Sequence, residues 1–117
     1  MFVPGPKPRP ALVIDIGRLG DDPAVEVIYG TSRKLDGLYP GEFSIVQEDG
    51  DAFAASGLSH PTKFDTARPV FLPYNDDWFF VPAGAPYGQT PKLGVLHPSL
   101  MRRAKAAFAA ASRSSRR

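Results

Sequence analysis

The stretch "ALVIDIGRLGDDPAVEVIYGTS", residues 11–32, decides the fold. Its two ends, "ALVIDI" (11–16) and "VEVIYGTS" (25–32), are runs of β-branched and aromatic residues, and "GRLGDDP" between them is turn chemistry. Runs of that length on either side of a Gly/Asp/Pro break predict a hairpin-like pair of strands. Further runs follow at "EFSIVQ" (42–47), "TKFD" (62–65) and "PVFLPY" (69–74), the first separated from the hairpin by the longer polar loop "RKLDGLYPG". "DAFAASG" (51–57) predicts one or two helical turns closed by Gly57.

Beyond Phe80 the pattern changes. "VPAGAPYGQTPKLG" is too rich in proline and glycine for a regular element and predicts an ordered surface arm over 81–96. "HPSLMRRAKAAFAAA" then has helical periodicity, with Leu100, Met101, Ala104, Ala107, Phe108 and Ala111 expected on one face and His97-Pro98 or Ser99 at its start. The expected fold is mainly β with α: about five short strands in a small SH3-like β-barrel, packed by a C-terminal amphipathic helix. Thirteen prolines and eleven glycines favour such a strongly bent sheet over a flat one. The 117 residues make a single domain: a strand-rich barrel over 8–80, the arm over 81–96, the helix over 98–112 and a basic tail over 113–117.

Composition narrows the chemistry. Cysteine is absent and the two histidines stand far apart, so neither a disulfide framework nor a zinc set is expected, and no cofactor. No apolar run approaches the roughly 20 residues that cross a bilayer, and "MFVPGPKPRP" lacks the apolar centre of a secretory signal, which points to a cytoplasmic protein without a membrane partner. The net charge of +2 hides an asymmetry: six bases and no acid lie in residues 101–117, leaving eight bases against twelve acids in the rest. An anionic ligand must therefore be met by locally placed cations.

Two groups of residues invite a chemical reading. "GLSHPTKFD" (57–65) sets His60, Thr62, Lys63 and Asp65 around a phenylalanine, and Lys63 and Asp65, two apart on a strand, share one face. Arg9 stands between two prolines that stiffen its loop. The plain structural alternatives are an exposed Lys63–Asp65 ion pair of little consequence, a turn role for His60, and strand-end hydroxyls bonding backbone at Thr31 and Ser32. Tyr74, Trp78, Phe79 and Phe80 in "LPYNDDWFFVP" read first as core or interface packing and second as a base-stacking surface.

"PGPKPRPALVI" followed by "VEVIYGTS", with Arg9-Pro10 and Thr31-Ser32, resembles the PemK/MazF family of toxins from type II toxin–antitoxin pairs. "TKFDTARPVFLP" is similar to that family's Arg-x-Asp segment, with Lys63 in place of arginine and Asp65 at the aspartate, and the likeness covers most of residues 5–110. The chain departs from the family in starting with only "MFVP" ahead of the glycine-containing loop and in Lys63, which lacks the planar fork of a guanidinium. The resemblance implies a metal-independent, sequence-selective endoribonuclease acting on single-stranded RNA, a homodimer, and a cognate antitoxin as partner. Such cleavage needs a base for the 2′-hydroxyl, donors for the charge developing on the phosphate and an acid for the 5′-oxygen. The residues implied for catalysis are Asp65 as base, Lys63 as acid or phosphate clamp, Arg9 on the non-bridging oxygens and Thr31 as a donor, with Ser32, Arg33, His60 and Thr62 binding substrate. The alternatives are a catalytically inactive or CcdB-like binder on the same fold and a plain SH3-like interaction module.

Overall fold

The computed structural model describes residues 9–114. The glycine-containing loop up to residue 8 and the end of the basic tail, 115–117, lie outside them. Strands β1 (Ala11–Leu19) and β2 (Asp22–Thr31) form the expected antiparallel hairpin, in register from Leu19↔Asp22 to Ala11↔Tyr29. Its turn passes through Gly20 at φ 65°, a left-handed position that favours glycine. The register slips by one residue between Val13 and Asp15, a bulge of the kind that sharpens strand twist.

β2 is the organising strand. Its first half pairs on the far side with β5 (Val70–Pro73), and its last two residues, Gly30 and Thr31, pair with β4 (Thr62–Asp65). β4 in turn pairs with β3 (Glu42–Ile45), so the order is β1-β2-β4-β3 with β5 also on β2, every pair antiparallel. Five strands with a C-terminal helix match the expectation. The pairings among the described residues leave the sheet open, so closure into a barrel is not part of the observed structure.

Both faces of β2 are covered, which explains its nearly unbroken apolar run from Ala24 to Gly30. On one face Val25 and Val27 pack with Leu72, Trp78 and Phe79; on the other Ile28 meets Phe43, Ile45 and Phe64. The rings of Phe43 and Phe64 stack with centroids 5.6 Å apart. β1 is an edge strand by contrast, with Ile16 79% exposed.

The helix closes the larger core. A 3-10 turn (Pro98–Leu100) leads into α2 (Met101–Ser114), and the His97 ring nitrogen Nδ1 accepts the Ser99 N–H at 3.1 Å as the N-cap. Leu100, Ala104, Ala107 and Ala111 are buried at helical spacing and Phe108 partly so. Met101, expected on the same face, is 42% exposed because it lies about 100° round the axis from Leu100. The short helix α1 (Asp51–Ser56) ends at Gly57 with φ 75°, as expected.

The arm has no regular element, as its prolines and glycines require, but it is anchored. Val95 N–H donates to Ala55 O at 2.8 Å, and Gly94 lies against the backbone of Ser56. A Cβ at Gly57 would overlap the Leu93 carbonyl, so the glycine that ends α1 also admits the arm. Trp78 and Phe79 belong to the second core, in line with the packing expectation.

Candidate functional site

Alternation along β4 divides the candidate residues between two environments. Thr62 and Phe64 point to the core side, while Lys63 and Asp65 point the other way. Lys63 is only 6% exposed, and its ammonium is bonded to both carboxylate oxygens of Glu42 at 3.2 Å. Glu42 Oε1 also accepts the Tyr39 N–H at 2.8 Å, so the loop ahead of β3 folds onto the pair. Asp65 instead closes the turn after β4: Oδ1 accepts Ala67 N–H at 2.9 Å, and Oδ2 faces Arg68 Nε at 3.5 Å. The structural alternative of an exposed Lys63–Asp65 ion pair is thereby corrected. Diagonal pairing across β3 and β4 brings Glu42 to Lys63, and a buried ammonium takes the partner that neutralises it.

The remaining candidates meet at a cavity of about 1170 Å³ between the β1–β2 hairpin, residues 56–62, the arm and α2. The hairpin register sets Arg9-Pro10 beside the end of β2, where Gly30 N–H donates to Pro10 O at 2.8 Å. Just beyond, Arg33 N–H donates to Thr31 Oγ1 at 3.2 Å, which fixes the turn and leaves the hydroxyl hydrogen of Thr31 to be donated. His60 and Thr62 enter from β4 and the segment just before it, beside the end of β2, and are joined by a 2.9 Å bond from Thr62 Oγ1 to His60 O. Gly30 gives the side chains of the neighbouring strand room to lie over it, since a Cβ there would stand 2.5 Å from Thr62 Cγ2 and 2.9 Å from the Phe64 ring. Arg9, Thr31, Ser32, Arg33, His60 and Thr62 all line the cavity; Lys63 and Asp65 do not.

The electrostatics of the lining are one-sided. Arg9, Arg33, Lys92 and Lys105 contribute four cations and His60 an imidazole, and among the described lining residues there is no aspartate or glutamate. The chain as a whole carries twelve carboxylates, ten of them on residues before Asp76, so their exclusion is a property of this surface. Tyr29 lines the same space, and burial pushes the pKa of its phenol up. One end is aromatic, with the rings of Tyr74 and Phe79 5.5 Å apart and Phe80 exposed. A surface of this kind suits an anion with flat, apolar parts.

Lys92 and Lys105 were not singled out from the sequence. Lys92 is the only lysine or arginine between Arg68 and Arg102, a signal that its setting in a Pro/Gly-rich arm obscures. Lys105 is hidden in the general basicity of the C-terminal segment. Among the described residues no three histidine, aspartate or glutamate side chains converge as a metal set. No protein-family model, curated protein or solved structure matches the chain.

Proposed function

We propose that the chain is a PemK/MazF-like endoribonuclease toxin that binds single-stranded RNA in the cavity and cleaves it without a metal. The observation that carries the proposal is the lining itself: four cations, clustered hydroxyls and aromatic rings, with no carboxylate among the described lining residues, in a body rich in acids. Phosphodiesters are held by cations and hydroxyl donors, and unpaired bases by aromatic faces.

In this scheme Arg9 and Arg33 hold the non-bridging oxygens, and Thr31 and Ser32 donate to the same phosphate. The 2′-oxygen attacks phosphorus as its proton passes to a base, and the P–O5′ bond breaks as the 5′-oxygen takes a proton. The products are a 2′,3′-cyclic phosphate and a 5′-hydroxyl. Within the cavity the proton carrier is His60, the one imidazole among the described lining residues. Asp65 is the rival base, on the other face of β4. The exposed apolar residues of edge strand β1, Val13, Ile16 and Leu19, support a homodimer, and a cognate antitoxin in the cytoplasm completes the assignment.

The proposal is tested by incubating a synthetic single-stranded RNA with the purified chain in excess EDTA and identifying the ends. A cyclic phosphate and a 5′-hydroxyl are expected; cleavage restored only by added magnesium would count against the scheme. One observation favours a second reading. Lys63, which stands at the family's usual arginine, is engaged with Glu42, as suits a fold that binds its target without cutting it. Retention of intact RNA by the unmodified protein would select that alternative.

A further inference from the structure

Resting on the RNA-binding proposal above, we infer that the arm and α2 supply a second phosphate subsite, built on Lys92 and Lys105, so that the ligand is a strand spanning the cavity. The four lining cations come from different elements. Arg9 and Arg33 belong to one end of the β1–β2 hairpin, held together by the Gly30–Pro10 and Arg33–Thr31 bonds. Lys92 and Lys105 belong to the arm and to α2, which line the cavity beside α1 and the larger core. At about 1170 Å³ the cavity lies above the roughly 300–1,000 Å³ typical of pockets for a single small ligand.

Lys92 is placed in advance. Pro91 fixes the backbone before it, and three residues later Val95 is bonded to Ala55 at 2.8 Å. Its ammonium rests 4.6 Å from the centre of the Tyr87 ring, a cation–π contact that holds the charge at an exposed position and can be exchanged for a phosphate. Lys105 is exposed directly after buried Ala104, so packing of α2 on the core fixes where its side chain begins. Neither lysine has a carboxylate partner at salt-bridge distance among the described residues.

Binding of 2′-O-methyl oligoribonucleotides of two to six residues, which lack the attacking hydroxyl, tests this by fluorescence anisotropy over a series of KCl concentrations. Each phosphate contact to a single strand contributes about 0.7 to the slope of log affinity against log salt. The double variant Lys92→Ala/Lys105→Ala should lose about 1.4 of that slope and the gain in affinity that longer strands show with the parent chain. Lys92→Arg/Lys105→Arg should restore both, and melting temperatures should stay together, because both lysines are exposed. An unchanged slope in the alanine double variant, beside a reduced slope in Arg9→Ala/Arg33→Ala, would overturn the second subsite and leave the RNA proposal standing. No binding of any strand by the parent chain would overturn both.

Discussion

The two faces of β4 lie in different surroundings and do different work. On one, Thr62 lines the cavity beside His60, where among the described lining residues the cations meet no carboxylate. On the other, Lys63 is buried against Glu42 and Asp65 closes a turn. The difference shows that charge type alone does not mark a site. A cation without an acidic neighbour, at the edge of an open space, is available to a ligand; one that is desolvated and neutralised belongs to the fold.

That contrast has its largest consequence at Lys63. Lys63→Ala leaves the Glu42 carboxylate, whose side chain is 10% exposed, without its counter-charge. Removing one member of a buried pair costs about 3–5 kcal/mol, read as a fall in the urea midpoint at constant slope. Replacing both partners, Lys63→Met with Glu42→Leu, should recover most of it. A loss under about 1 kcal/mol in Lys63→Ala would place the pair with exposed ion pairs and erase the contrast.

Gly57 tests the anchoring of the arm, which lines the cavity together with the hairpin. Gly57→Ala adds a Cβ at φ 75° that overlaps the Leu93 carbonyl, so a loss of about 2 kcal/mol and faster proteolysis within 81–96 are expected. Unchanged stability and proteolysis would mean that the arm is not held at this point.

Smaller effects attach to Arg103, which joins α2 to a 3-10 turn (Gln47–Asp49) just ahead of α1. Its guanidinium holds the Asp49 carboxylate with two 2.9 Å bonds and donates to Ser44 O at 2.8 Å, while Val46 N–H also donates to Asp49. Together these hold Asp49 below the usual carboxylate range, hydrogen bonding to Arg103 being the largest cause. The pair therefore contributes stability above the ordinary aspartate pKa near 3.9, and that contribution is lost as pH falls through the depressed folded value. Arg103→Ala should cost about 1–2 kcal/mol at neutral pH, the exposed half of the guanidinium limiting the effect, and should flatten the acid limb of stability against pH. Equal acid limbs in parent and variant would contradict this assignment.

How far these features could be foreseen depended on their sequence range. The strands were legible because β-branched runs and Gly/Pro breaks are local; "TKFD" falls on β4 residue for residue, and Gly57 ends α1 as a glycine in that setting should. Arg9, Thr31, Ser32 and Arg33 could be grouped because hairpin register returns the end of β2 to the start of β1. The partner of Lys63 could not be read: Glu42 is 21 residues away and reaches it only through the diagonal geometry of β3 and β4. Arg103 and Asp49, 54 residues apart, were invisible for the same reason. Lys92 and Lys105 gain meaning only when the arm and α2 close on a common space.

The central claim is that RNA is handled on the cavity side of β4, and single-turnover cleavage of one oligonucleotide by four variants tests it most directly. Arg9→Ala and His60→Gln should each lower the rate by about a hundredfold, roughly 3 kcal/mol in the barrier, with melting temperatures unchanged because both side chains are exposed. Asp65→Asn, which alters a turn, and the Lys63→Met/Glu42→Leu pair, which preserves packing, should cleave within a few-fold of the parent. Parent-like cleavage by the two cavity variants, with loss in Asp65→Asn, would contradict the account and return catalysis to the other face of the strand.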